Sequence, residues 1–147
     1  MNYDFVLIDK IFCECFIKWT YEEDYSTTGR RGLFDLHLRS AMKKSNCKPC
    51  LLALSSVTRE YLEKQYRNND RDMCHLSSII EATEEIKIPI CIEESEAILK
   101  SASLLKWKGF HFCILTGNSL IYDLAKKDGF EVYDLKESEE VFGKTSI

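Results

Sequence analysis

The chain has 147 residues, of which 45% are hydrophobic and 30% are charged, and this balance predicts one soluble globular domain with a single core. Its net charge of −4 argues against bulk electrostatic binding of nucleic acid, but a local basic patch is compatible with it. The apolar runs are too short for a membrane span, and the N-terminus lacks the features of a secretory signal. We therefore expect a cytoplasmic protein in which residues 1–142 form the domain and 143–147 form a short tail.

Short strand-like segments alternate with longer helix-like segments along the chain. Strands are predicted at 3–8, 51–54, 88–92, 111–115 and 130–133. Helices are predicted at 11–19, 33–44, 57–66, 75–86, 95–107 and 120–127. This alternation, with crossovers of a dozen residues or more, is typical of a parallel sheet covered by helices on both faces. The predicted fold class is α/β, a three-layer α/β/α sandwich around a central, mostly parallel sheet of about five strands.

Four polar residues fall at the predicted junctions between strands and helices: Asp9, Glu60, Glu96 and Asn118. Open parallel sheets bind ligands beyond the carboxyl ends of their strands, near the point where strand order reverses. These four side chains can therefore converge at the carboxyl edge of the predicted sheet. Grouped carboxylates need a hard cation, and Mg²⁺ or Mn²⁺ binds such oxygens while keeping positions open for a phosphate. The sequence therefore predicts a Mg²⁺ or Mn²⁺ site at this edge.

Each of these residues also has a structural explanation. Asp9 and Asn118 stand just before predicted helices, where Asp and Asn are favoured N-caps. The glutamates each precede a lysine by four residues, a spacing that gives surface ion pairs contributing roughly a few tenths of a kcal/mol. These pairs are Glu60 with Lys64 and Glu96 with Lys100.

The motifs at these junctions resemble those of PIN domains. Residues 113–132 read CILTGNSLIYDLAKKDGFEV: a strand ends in Thr-x-Asn where PIN domains have Thr-x-Asp, a helix bearing Leu and Ala follows, and a Gly leads into a final strand. The segment Val6-Leu-Ile-Asp9 resembles the opening strand with its aspartate, and residues 57–62 resemble the helix with the family's glutamate. Residues 96–99 with Gly109 resemble the helix that carries the third acid. The resemblance covers nearly the whole chain, and its specificity lies in the order and spacing of the motifs.

The resemblance implies a metal-dependent endoribonuclease, a hydrolase that cuts RNA phosphodiester bonds with water activated by Mg²⁺ or Mn²⁺. It assigns metal binding to Asp9, Glu60 and Glu96, and it places Asn118 among the catalytic residues. Two positions depart from the family's pattern, because Glu96 is one methylene longer than the usual Asp and Asn118 carries no charge. The alternatives are an enzyme that works with three acids and a catalytically weakened PIN-like module that binds RNA or protein.

An RNA substrate needs cationic contacts to its phosphates and aromatic platforms for its bases. The predicted substrate-binding residues are Arg30, Arg31, Thr116 and Ser119. Many PIN nucleases are dimers, and those of toxin–antitoxin pairs are silenced by a small partner, so the resemblance also points to a homodimer and a cognate inhibitor protein. The residues themselves specify neither partner, and they predict no membrane association.

Seven cysteines in a chain without an export signal cannot all pair within one molecule, and reduced thiols that pack as small hydrophobes are the expected state. The segment Cys47-Lys-Pro-Cys50 resembles the redox motif of thioredoxin-fold proteins, but it follows a predicted helix and precedes a strand, which is the reverse of that motif's context. A zinc site needs two further ligands, which Cys13 and Cys15 supply only if the first helix approaches this loop. Thiol redox or zinc chemistry at Cys47 and Cys50 stays a second alternative.

Two other kinds of site are disfavoured. A haloacid-dehalogenase-like phosphatase also has an aspartate after its first strand, but it needs a second aspartate two residues later, where this chain has Ile11. The three histidines, His37, His75 and His111, show no metal-ligand spacing, and His111 is interpreted as a core or strand-end residue.

Overall fold

Strands and helices alternate along the chain in a computed structural model that describes residues 3–21, 51–88 and 93–143. The elements in these ranges are β1 (Phe5–Ile8), α1 (Lys10–Tyr21), β2 (Leu51–Ser55), α2 (Ser56–Tyr66), α3 (Asp70–Ala82), β3 (Thr83–Ile86), α4 (Glu94–Trp107), β4 (Phe112–Leu115), α5 (Ser119–Lys127), β5 (Val132–Tyr133) and α6 (Leu135–Gly143). No helix in the described ranges has both the length and the apolar character needed to cross a membrane.

The five strands form one sheet in the order β3-β2-β1-β4-β5, and every pairing in it is parallel. The central strand is β1, in which Phe5 is the partner of both Leu51 in β2 and Phe112 in β4. Strand order therefore reverses between β1 and β4, which is where sheets of this type bind ligands. The predicted α/β class with a three-layer α/β/α arrangement is confirmed.

Burial on both faces of the sheet explains why β1 is apolar throughout. Successive side chains of a strand point to opposite faces, so a strand covered on both sides needs a continuous apolar run. Val6 and Ile8 pack into one core cluster with Phe12 of α1, whereas Leu7 packs into another with Ile98 of α4. The first polar residue after this run emerges at the carboxyl edge of the sheet.

The third strand lies earlier than predicted. The predicted helix at 75–86 is wrong in its last part, because α3 ends at Ala82 and β3 comprises Thr83–Ile86. Among the described residues this strand pairs with β2 alone, so it lies at an edge of the described sheet, where one side of a strand stays near solvent and glutamates are tolerated. Glutamate is typical of helices, so Glu84 and Glu85 led to the prediction of a helix where the structure has a strand. Of the predicted strand at 88–92, Ile88 is not in a strand, and 89–92 lie outside the described residues.

The structure differs from the predicted elements in smaller ways elsewhere. Helix α6 is absent from the prediction and includes Gly143, which was expected to begin the tail; residues 144–147 lie outside the described ranges. The predicted helix at 33–44 also lies outside them. His111 is exposed directly before β4, in agreement with a strand-end residue.

Candidate functional site

The Asp9 side chain joins the carboxyl ends of β1 and β4. Asp9 directly follows β1 and is fully buried. Its Oδ1 accepts a hydrogen bond from the Phe12 N–H at 2.9 Å, which caps the start of α1. Its Oδ2 accepts from the Thr116 hydroxyl at 2.6 Å and from the Gly117 N–H at 3.1 Å. The carboxylate is thus held by three donors at the place where strand order reverses.

Glycine at position 117 permits this close approach. A Cβ at this position would lie 2.3 Å from Cγ2 of Ile11, far inside van der Waals contact. A methyl group there would displace either Ile11 or the loop that carries the Gly117 N–H. The missing side chain therefore helps to position Asp9.

A second carboxylate, Glu94, lies in the site although it is not among the predicted site residues. It is the first residue of α4, and its Oε2 accepts from the Lys10 N–H at 2.9 Å and from the Thr58 hydroxyl at 2.7 Å. Thr58 is buried, and its hydroxyl also lies 2.9 Å from that of Ser55 at the end of β2. Glu94 therefore connects the first turns of α1, α2 and α4 beside Asp9.

Asp9 and Glu94, called the Asp9–Glu94 pair below, interact electrostatically. Burial raises the pKa of the Asp9 carboxyl, although hydrogen bonds, the strongest from Thr116, oppose the rise. Burial also raises the pKa of Glu94, the charge on Asp9 raises it further, and the Lys10 ammonium lowers it. Both groups therefore favour a bound proton or a nearby cation more than ordinary surface acids do.

We expect the Asp9–Glu94 pair to make the protein less stable as pH rises. The folded-state pKa values lie above the ordinary 3.8 and 4.5 of these side chains, so the folded protein keeps protons that the unfolded chain has lost. The stability that these protons contribute is fully present below the ordinary pKa values. It is lost as pH rises through the raised pKa values of the folded state. The free energy of unfolding, measured with urea between about pH 4 and about pH 7, should fall less steeply with pH for Glu94→Gln than for the native protein. Glu96→Gln is the matched control, and an unchanged decline in Glu94→Gln would contradict the coupling.

The predicted ligands Glu60 and Glu96 lie on the surface instead. Glu60 pairs with Lys64 at 3.0 Å and its side chain is 67% exposed, and Glu96 pairs with Lys100 at 2.9 Å and is 51% exposed. Among residues 3–21, 51–88 and 93–143, no three His, Cys, Asp or Glu side chains converge as metal ligands would. The expected grouping of Asp9, Glu60 and Glu96 is therefore not formed.

Helical periodicity explains which acids turn inward. The residues that α4 buries follow one stripe of three- and four-residue steps: Ala97, Ile98, Ser101, Ala102 and Leu105. Glu94 lies three and four residues before the first two of these, so it shares their face, whereas Glu96 points away. In α2 the buried face includes Thr58 and Leu62, and Glu60 lies off it. Extending the apolar stripe of α4 back by one turn would have placed Glu94 on the buried face of the helix, but its position beside Asp9 comes from the packing of α4 on the sheet.

Asn118 acts as the N-cap of α5. Its Oδ1 accepts from the Leu120 N–H at 2.9 Å and from the Ile121 N–H at 3.4 Å. Of the predicted substrate-binding residues, Thr116 is buried against Asp9, and Ser119 is exposed at the first position of α5. Four residues named from the sequence lie outside the described ranges: Arg30, Arg31, Cys47 and Cys50.

The described thiols near the site are packing groups. Cys13 and Cys113 are fully buried, as expected for small hydrophobes. Burial raises the pKa of the Cys13 thiol well above its usual range, and the nearby charges of Asp9 and Glu94 add to the rise. A thiol held protonated in this way is a poor zinc ligand, which does not favour Cys13 as a partner for a zinc site.

Comparison with models of known protein families gives no match, and no curated protein matches the sequence.

Asp9 and Glu94 supply carboxylate oxygens of the kind that a divalent cation binds. Mg²⁺ is usually held by one or two carboxylates, with water and substrate phosphate completing its shell. The Oε1 atom of Glu94 makes no hydrogen bond within the described ranges, so it can accept a cation. Because burial raises the pKa of both carboxyls, a cation beside them would relieve both desolvation and mutual repulsion.

Proposed function

We propose that the protein is a Mg²⁺- or Mn²⁺-dependent ribonuclease whose metal ligands are Asp9 and Glu94. The observation that carries the proposal is the placement of the buried Asp9 carboxylate and the half-buried Glu94 carboxylate at the edge where the carboxyl ends of β1 and β4 meet, close enough for the charge on Asp9 to raise the pKa of Glu94. The parallel sheet and the position of Asp9 agree with the resemblance to PIN domains. The proposed ligand set differs from the one that the resemblance implies, because Glu94 takes the place of Glu60 and Glu96.

The chain's own residues orient the two carboxylates before any substrate arrives. Thr116 and Gly117 fix one oxygen of Asp9, while Thr58 and the Lys10 N–H fix one oxygen of Glu94. Bonds of this kind restrict the directions in which the remaining lone pairs point. A divalent ion bound there supplies a water of lowered pKa and offsets charge on the phosphoryl oxygens.

A second candidate is a module that binds RNA or protein without cleaving it, and the placement of the other polar residues favours this candidate. The Asn118 oxygen is occupied by backbone donors of α5, and Glu60 and Glu96 pair with lysines. Two carboxylates then remain where PIN nucleases have three or four acids. Fewer negative charges give a lower affinity for a cation.

Metal dependence distinguishes the two candidates. We expect calorimetry to detect Mn²⁺ binding of roughly millimolar or tighter affinity, and we expect the protein to cleave a labelled single-stranded RNA in Mg²⁺ or Mn²⁺. Excess chelator should stop the cleavage, and readdition of Mn²⁺ should restore it. RNA binding without metal binding or cleavage would overturn the nuclease proposal in favour of the binding module.

A further inference from the structure

A cation and an exposed aromatic ring lie beside the Asp9–Glu94 pair. Lys10 directly follows Asp9, and its Nζ lies 5.7 Å from the centroid of the Tyr61 ring on α2. Tyr61 is 45% exposed, and it is one of the large hydrophobic side chains that the described part of the chain leaves in solvent. The two side chains, called the Lys10–Tyr61 pair below, therefore combine a positive charge with an aromatic ring that is 45% exposed.

The Lys10–Tyr61 pair is linked to the carboxylates. The Lys10 N–H donates to Glu94 Oε2 at 2.9 Å. In the ranges that the structure describes, Lys10 forms no salt bridge of its own. Its charge can therefore pair with an anionic group that approaches Asp9 and Glu94.

We propose that the Lys10–Tyr61 pair binds one nucleotide of the substrate next to the reacting phosphate. Tyr61 stacks on an unpaired base, and Lys10 pairs with a backbone phosphate. An aromatic ring accepts any unpaired base, because every base has a π-face, whereas bases within a duplex are already stacked on their neighbours. This inference rests on the proposed function, and it assigns one nucleotide subsite of that function to two residues of this chain.

The same fold contains a second lysine–tyrosine pair that lacks this setting. On α5, the Lys126 Nζ lies 5.5 Å from the centroid of the Tyr122 ring, a geometry close to that of Lys10 and Tyr61. Tyr122 is partly buried and forms a hydrogen bond with Glu137 on α6, whereas the Lys10 N–H donates a hydrogen bond to Glu94. Substitutions in the α5 pair therefore control for the general effect of losing a surface tyrosine or lysine.

The test measures binding of a fluorescently labelled single-stranded RNA without added metal, with every variant made in the Asp9→Asn chain so that cleavage does not interfere. Tyr61→Ala is expected to weaken binding about tenfold, and Tyr61→Phe, which keeps the ring, is expected to restore it. Lys10→Gln should reduce the slope of log affinity against log salt by about 0.7, the value for one phosphate contact on a single strand.

Tyr122→Ala and Lys126→Gln should change the affinity by less than about twofold. The proposal is overturned if Tyr61→Ala binds as tightly as Tyr122→Ala, or if Tyr61→Ala weakens binding to a duplex as much as binding to a single strand. RNA binding is measured without catalysis. A failure of metal-dependent cleavage therefore refutes the proposed function, while the RNA affinities still test the role of Lys10 and Tyr61.

Discussion

Glu94→Gln should lower the rate of metal-dependent RNA cleavage by more than about a hundredfold, since changes even to the partners of metal ligands cost about ten- to a hundredfold. The substitution keeps the size of the side chain and an oxygen that can accept from Thr58 and Lys10. It removes the negative charge that a divalent ion needs. A single-turnover assay in Mn²⁺, with circular dichroism to confirm folding, measures the effect.

Glu96→Gln and Glu60→Gln are the matched controls for this experiment. Both make the same chemical change at exposed positions paired with lysine, and we expect each to retain the native rate within about twofold. If Glu96→Gln abolished cleavage and Glu94→Gln did not, the ligand set implied by the PIN resemblance would replace the one proposed from the geometry.

Asp9→Asn should lower cleavage to a similar extent, but it is the less selective probe. The asparagine oxygen can still accept from the Phe12 N–H, while its amide group would face the Gly117 N–H, which also donates. One buried hydrogen bond is then lost, so Asp9→Asn changes stability as well as charge. For this reason the comparison of Glu94 with Glu96 is the decisive one.

Phe12→Ala should lower the free energy of unfolding by about 3 to 5 kcal/mol, the range for large-to-small changes of buried aromatic residues. Phe12 is fully buried in the first turn of α1 and packs with Val6 and Ile8 of β1. Its removal leaves a cavity directly beneath the turn that holds Asp9. Denaturant unfolding monitored by circular dichroism measures the loss.

Leu120→Ala is the control for Phe12→Ala, because Leu120 is 56% exposed in the first turn of α5. We expect it to change stability by no more than about 0.5 kcal/mol. If Phe12→Ala unfolds the protein, Phe12→Leu, which keeps most of the buried volume, provides a smaller measurable loss. A loss below about 1 kcal/mol for Phe12→Ala would contradict the packing of α1 against β1.

Patterns that depend on local chemistry could be predicted from the sequence. The apolar runs of β1, β2 and β4 are buried on both faces, and such strands leave a clear signal. The edge strand β3 has no such apolar run, because it is partly exposed and contains two glutamates. A helix-forming composition therefore outweighed the β-branched residues at its two ends.

The sequence by itself determined the α/β class and the position of Asp9, because the strand before it must be apolar and the first polar residue after it must lie at the carboxyl edge. Only the tertiary structure decided which glutamate joins Asp9. Glu94 and Glu96 lie two residues apart on one helix, and packing of α4 on the sheet sets the rotation that turns the first inward and the second toward Lys100. Because that rotation is fixed by contacts between distant parts of the chain, a motif position alone does not specify it.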